Sequence, residues 1–139
     1  EVFPEAMAWL WKGWPEAPKA GPGARQMQDI LIPGEDWKLV GEGYKFTEGP
    51  ATNARGEVFF NDVGASKTYK INAAGKPEVF LADSKRGDGQ RFGPDGRLYA
   101  NSGAESKILA WDADGKPTAF AGGFKGNDLV VLQNGAVYA

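Results

Sequence analysis

The chain has 139 residues, is 42% hydrophobic and 24% charged, and carries a net charge of −2. That charge gives no electrostatic basis for binding nucleic acid or an anionic membrane surface, and no apolar run approaches the ~20 residues that span a bilayer, so neither is an expected partner. With no cysteine and no histidine, a Ser-His-Asp triad and an imidazole- or thiolate-bound zinc are excluded within this stretch, and any metal must take hard oxygen ligands, as calcium or magnesium does.

Residues 1–14, EVFPEAMAWLWKGW, differ from all that follows. Pro4 suits a first helical turn, Phe3, Met7, Leu10 and Trp11 fall at helical spacing, and Gly13 suits a C-terminal cap. A short aromatic-faced helix is expected here, with Trp9, Trp11 and Trp14 docking it. Residues 15–36 begin with a Pro- and Gly-rich run without periodicity and read as a linker. The first residue is Glu1, and the last lie inside a strand-like run, Gly-Ala-Val-Tyr-Ala. The chain is therefore expected to be a piece of a longer protein. The compartment stays open, a periplasmic or secreted one included.

Residues 37–139 read as all-β. Gly56, Gly96 and Gly135 each open a similar run (GEVFFND, GRLYANS, GAVYA), at successive offsets of 40 and 39. Gly75-Lys76-Pro77 and Gly115-Lys116-Pro117 are again 40 apart, as are KTYKIN (67–72) and KILAWD (107–112). Turn residues at 54–56, 73–75, 94–96, 113–115 and 133–135 separate short alternating strands such as Val58/Phe60, Tyr69/Ile71 and Ile108/Ala110. Four short strands in about 40 residues make a propeller blade. A β-sandwich with coincidental spacing is the competing architecture. Trp37, Tyr69, Phe80 and Trp111 sit at strand spacing and are expected to pack between blades. Lys67, Lys85, Arg86 and Lys107 are expected to be solvated hairpin charges.

The period also relates candidate site residues. A step of 40 from Glu48 reaches Asp88, and a step of 39 from Asp88 reaches Asn127. Each is an oxygen-bearing side chain beside a glycine, where the inner strand of a blade would start. Three such positions converging on one end of a channel would outline a hard-cation site. Polar residues flanking ordinary turns are the plainer explanation of the same pattern.

The runs FTEGPATNARGEVFFND (46–62), FGPDGRLYANSGAESKILAWDADGKP (92–117) and GNDLVVLQNGAVYA (126–139) resemble the regucalcin–gluconolactonase family of six-bladed propellers over roughly residues 39–139. The resemblance implies a partial six-bladed β-propeller of about two and a half blades, behind the N-terminal helix and linker. It implies a divalent cation, typically calcium, and a hydrolase of lactones or related esters with a small-molecule lactone or ester as substrate. Glu48 matches the family's metal-binding Glu. Asn127 matches an Asn that ligates the cation or contacts substrate. Lys125 falls near a basic substrate-contacting position, and Asp88 is assigned to substrate on the repeat spacing. Further ligands and the general base would lie beyond residue 139, so this stretch alone is expected to be inactive. A non-catalytic propeller that binds sugar or protein is the alternative. A quinone-dependent oxidoreductase, which would call for a catalytic histidine, is disfavoured. The run FPEAMAWLWKG resembles the closing helix of an α/β-hydrolase esterase, which implies an esterase domain fused upstream.

Overall fold

The computed structural model describes residues 38–139, of which Leu39–Ala139 form one compact unit. The expected N-terminal helix, the linker and Trp37 lie outside the described residues. Ten strands follow in order: β1 (Thr47–Thr52), β2 (Val58–Asp62), β3 (Lys67–Ile71), β4 (Pro77–Leu81), β5 (Gly87–Phe92), β6 (Leu98–Ser102), β7 (Lys107–Trp111), β8 (Pro117–Gly122), β9 (Val130–Val131) and β10 (Val137–Tyr138). They form two four-stranded antiparallel sheets, β1-β2-β3-β4 and β5-β6-β7-β8, and a two-stranded sheet of β9 and β10. Every neighbour in a sheet is its neighbour in sequence, the meander of a propeller blade.

One turn chemistry makes most of these hairpins. Asn53 donates its backbone N–H to Glu57 at 3.1 Å, and Gly56 donates back to Asn53 at 3.0 Å. The same pair of bonds recurs at Asn72/Lys76 with Gly75, Gly93/Arg97 with Gly96, Asp112/Lys116 with Gly115, and Leu132/Ala136 with Gly135. All five turn glycines have φ between 74° and 83°. Such a hairpin closes through a left-handed residue that glycine reaches without steric cost. At three of the turns an Asn53, Asn72 or Asp112 side-chain oxygen also accepts two backbone N–H groups of the loop.

The two complete sheets pack face to face. Ala51, Phe59 and Leu81 of the first meet Leu98, Leu109 and Trp111 of the second, with Phe80 and Phe92 beside them. Phe59 stands edge-on to both Phe80 and Phe92. The opposite face of the second sheet repeats the arrangement: Tyr99, Ile108 and Ala110 pack on Leu129, Val131 and Val137. Phe59 and Tyr99 occupy equivalent positions in the two blades and both face the next sheet, so the repeat is one of packing as well as of sequence.

Trp111 and Phe80 lie between blades, as expected. Tyr69 lies on the face of the first sheet turned away from the second, stacked on Phe60 and met edge-on by Tyr44. Its counterpart in the second sheet is Leu109, which faces the first.

Asp62 ties the entry segment to the first blade. Its carboxylate accepts the backbone N–H groups of Lys45, Phe46 and Ala65 at 3.0 to 3.1 Å. Burial alone would raise its pKa, but these three donors outweigh it and the net shift is downward. The sheet rims differ from the interior. β4 and β8 each begin at a proline, Pro77 or Pro117, and β8 is exposed over most of its length.

Two outcomes follow for the full-length protein. Leu98→Ala, in the middle of the inter-blade seam at 1% exposure, should cost about 2–5 kcal/mol in urea unfolding. Asp62→Ala should cost about 1.5–3 kcal/mol at neutral pH. Because the folded pKa of Asp62 is depressed, its contribution is present above the ordinary carboxylate pKa of about 3.9 and is lost as pH falls through the folded value. The gap between wild type and Asp62→Ala should therefore narrow in acid.

Candidate functional site

Each complete blade starts with an inner strand whose pairing to its neighbour is irregular near its start, within one residue of the same place. In β1 the register shifts between Glu48 and Ala51, and in β5 between Gly87 and Gln90. Such bulges re-aim side chains at the end of a strand. Glu48 lies at the start of the first and Asp88 within the second. Glu48 is half-buried and pairs with Asn61 of β2.

The inner strands are pressed together at this end. A Cβ on Gly49 would fall 2.5 Å from the Asp88 carbonyl oxygen, and one on Gly89 would fall 2.6 Å from both the Asn127 carbonyl oxygen and the Asp128 Cα. Only a residue without a side chain lets the backbones approach so closely. The contact also carries a hydrogen bond, from the Gly89 N–H to the Asn127 carbonyl at 2.8 Å. Glu48, Asp88 and Asn127 thus stand at the starts of three successive inner segments, with Gly49 and Gly89 each seated on the segment that follows.

Asparagines of the second strands pin these segments. Asn61 Nδ2 donates to the Asp88 carbonyl at 2.6 Å, and Asn101 Nδ2 donates to the Asp128 carbonyl at 3.0 Å. Both asparagines are 1% exposed. Asn61 therefore pairs with Glu48 on its own sheet and grips Asp88 on the next.

Asp88 and Asn127 meet directly, through a long hydrogen bond of 3.3 Å from Asn127 Nδ2 to Asp88 Oδ2. The other carboxylate oxygen, Oδ1, is buried with no hydrogen-bond partner. Burial raises the Asp88 pKa, and the nearby Asp128 carboxylate raises it further, against a smaller opposing effect of the Gly89 N–H. Gln90, two residues on, is wholly buried, and both polar atoms of its side chain are also without partners. A buried oxygen left in this way is suited to an electropositive ligand. Among the described residues, no group of three or more acidic side chains is gathered closely enough to hold a metal by itself. A cation here would draw on amide oxygens as well.

Lys125 is exposed on the connection between β8 and β9, two residues before Asn127. A groove of about 310 Å³ lies at the other, hairpin end of β1, lined by Pro50, Ala51, Thr52, Val58, Arg91 and Phe92. Arg91 Nη1 there donates to the carbonyls of Pro50 and Gln90, at 2.9 and 2.8 Å. Arg86 is exposed, as expected of a solvated hairpin charge, whereas Lys85 is not a plain solvated one. Both adopt left-handed backbone conformations, with φ of 56° and 54°. Lys85 also pairs with Asp83 at 2.5 Å and holds its carboxyl down at about 2. Sequence reasoning missed Asn61, Asn101, Gln90 and Asp128. The first two were discoverable, because they fall in one column of the aligned runs GEVFFND and GRLYANS.

Two blades packed face to face, with a third begun against the second, define part of a β-propeller. No family model and no curated protein matches the chain. Solved structures do. A protein assigned as a gluconolactonase superposes with a TM-score of 0.69 at 24% identity, over 78% of this chain and 40% of that one. A gluconolactonase from Xanthomonas campestris, described as important in glucose secondary metabolic pathways, gives 0.61 at 25% identity over 68% and 34%. Regucalcin from Agrobacterium tumefaciens, a calcium-binding protein, gives 0.50 at 18% identity over 60% and 32%. Virginiamycin B lyases share the fold as well. By fold, the chain is part of a β-propeller similar to those of gluconolactonases, regucalcin and these lyases, and it spans less than half the length of each.

The close approach at Gly89 gives a direct check. Gly89→Ala should destabilise the full-length protein by about 1–3 kcal/mol, since its Cβ meets fixed backbone. Gly103→Ala, whose Cβ would sit 3.3 Å from the Arg86 carbonyl oxygen, should cost clearly less than Gly89→Ala. Thermal melts of the two variants test the difference.

Proposed function

We propose that the full-length protein is a calcium-dependent hydrolase of lactones or related esters, built on the propeller of which residues 39–139 form part. The observation that carries the reading is the recurrence of Glu48, Asp88 and Asn127 at the starts of three successive inner segments, with Asp88 Oδ1 buried and unpartnered. The likeness to a gluconolactonase and to a calcium-binding regucalcin supports it.

The donor set fits a hard cation. Glu48 would supply charge, and Asn127 would supply a neutral amide oxygen. Donation of Asn127 Nδ2 to Asp88 leaves Asn127 Oδ1 as the oxygen available to a ligand. Asp88 thereby orients the amide, and Asp88 and Lys125 are assigned to contact substrate. A bound divalent cation supplies Lewis acidity toward an ester carbonyl. A neutral amide in the donor set keeps that acidity less quenched than carboxylates alone would. The likeness to propellers does not by itself select the chemistry, since one fold hosts many activities. An esterase domain fused upstream remains part of the proposal for the whole protein.

Calorimetric titration with calcium tests the reading in the full-length protein. Wild type should bind, and Glu48→Gln should bind at least about 100-fold more weakly and lose lactone hydrolysis, while its metal-free melting transition stays cooperative. Retention of both binding and hydrolysis by Glu48→Gln removes Glu48 from the site. A wild-type protein that binds no calcium leaves a sugar- or protein-binding propeller as the better account.

A further inference from the structure

We infer that Asn101 is a positioning residue for the candidate cation ligand Asn127, holding the chain on both sides of it; the inference rests on the calcium reading above. On one side, Asn101 Nδ2 donates to the carbonyl of Asp128 at 3.0 Å. On the other, the Asn101 amide lies directly against Gly126. A Cβ there would sit 2.5 Å from Asn101 Oδ1 and 2.9 Å from Nδ2. Residues 126 and 128 are thus fixed by one buried side chain, and Asn127 between them is exposed, its amide nitrogen on Asp88 and its Oδ1 left for a ligand.

The first blade contains a related contact at the equivalent asparagine, which argues against accident. Asn61 occupies the equivalent place, donates to the Asp88 carbonyl, and lies against Gly87, where a Cβ would be 3.2 Å from Asn61 Oδ1. The two differ in two respects: Asn61 contacts the adjacent residues 87 and 88, with none held between them, and its side-chain oxygen has a partner of its own. Asn61 Oδ1 accepts from Thr68 Oγ1 at 2.6 Å. The equivalent of Thr68 in the second blade is Ile108, which has no hydroxyl, and Asn101 Oδ1 is buried without a partner. The amide of Asn101 is therefore held only by the segment it positions, so its orientation and that of residues 126–128 are set together. A side chain that orients a ligand from behind typically changes metal affinity about 10- to 100-fold when removed.

Three variants of the full-length protein test this by calcium calorimetry, with metal-free melting curves as the folding control. Asn101→Leu keeps the volume and removes the donor. Gly126→Ala drives a methyl group into the Asn101 amide. Leu98→Ala weakens the blade seam without touching this contact. Asn101→Leu and Gly126→Ala should each lose about 10- to 100-fold in calcium affinity, and Leu98→Ala should bind calcium as wild type does although it melts lower. Folded Asn101→Leu or Gly126→Ala that binds as tightly as wild type overturns the inference alone. So does an equal loss in Leu98→Ala, or the disappearance of a cooperative melt in both of the other variants. A wild-type protein that binds no calcium overturns the calcium reading and this inference together.

Discussion

The arrangement depends on how closely the inner strands of adjacent blades can approach. At Gly49 and Gly89 the chain is in backbone contact with the next segment, at distances no Cβ would permit. That contact brings the starts of successive inner segments to one end of the seam, and the buried asparagines then fix their rotation. The apolar faces supply most of the burial, through Phe59, Leu98, Leu109 and Trp111. Apolar burial is non-directional, however, and would tolerate some sliding of one sheet over the other. The glycine contacts and the amide-to-carbonyl bonds do not. They convert a packed interface into a registered one.

This division of labour explains an apparent inconsistency in the repeat. Equivalent positions of the two complete blades keep a single offset from β1/β5 to β4/β8. Between the second blade and the third, two offsets coexist: the asparagine bonds go to Asp88 and Asp128, 40 apart, and the glycine contacts go to the carbonyls of Asp88 and Asn127, 39 apart. The single missing residue is absorbed in the segment leading into β9, which lies outside regular strand pairing. The candidate site falls where the repeat is least regular. Such a place can vary without disturbing the sheets behind it.

The architecture was legible because turns and strand alternation are local. Gly56, Gly75, Gly96, Gly115 and Gly135 were marked as turn residues from their neighbours, and all five have the positive φ that such turns need. The spacing of Glu48, Asp88 and Asn127 was legible as arithmetic, and the contact between Asp88 and Asn127 agrees with it. The strand bulges were not legible, since a bulge is defined by the partner strand. Nor was the role of Asp62, whose three donors include two from Lys45 and Phe46, well before it in the chain. Alternation places Tyr69 on a sheet face but does not say which neighbouring blade that face meets; its counterpart Leu109 meets the preceding one.

The outer strands carry a consequence of a different kind. β4 and β8 each have one side of their backbone unpaired within their sheet, and such an edge can recruit a strand from another molecule. Both begin at the proline of a Gly-Lys-Pro triplet, which cannot donate a backbone hydrogen bond, and both have a register shift in their pairing with the strand inside them. The same three residues that turn the chain outward at each hairpin therefore also blunt the rim it arrives at. Repeating the blade repeats that protection, so a protein assembled from many such units gains no continuous sticky perimeter as it grows.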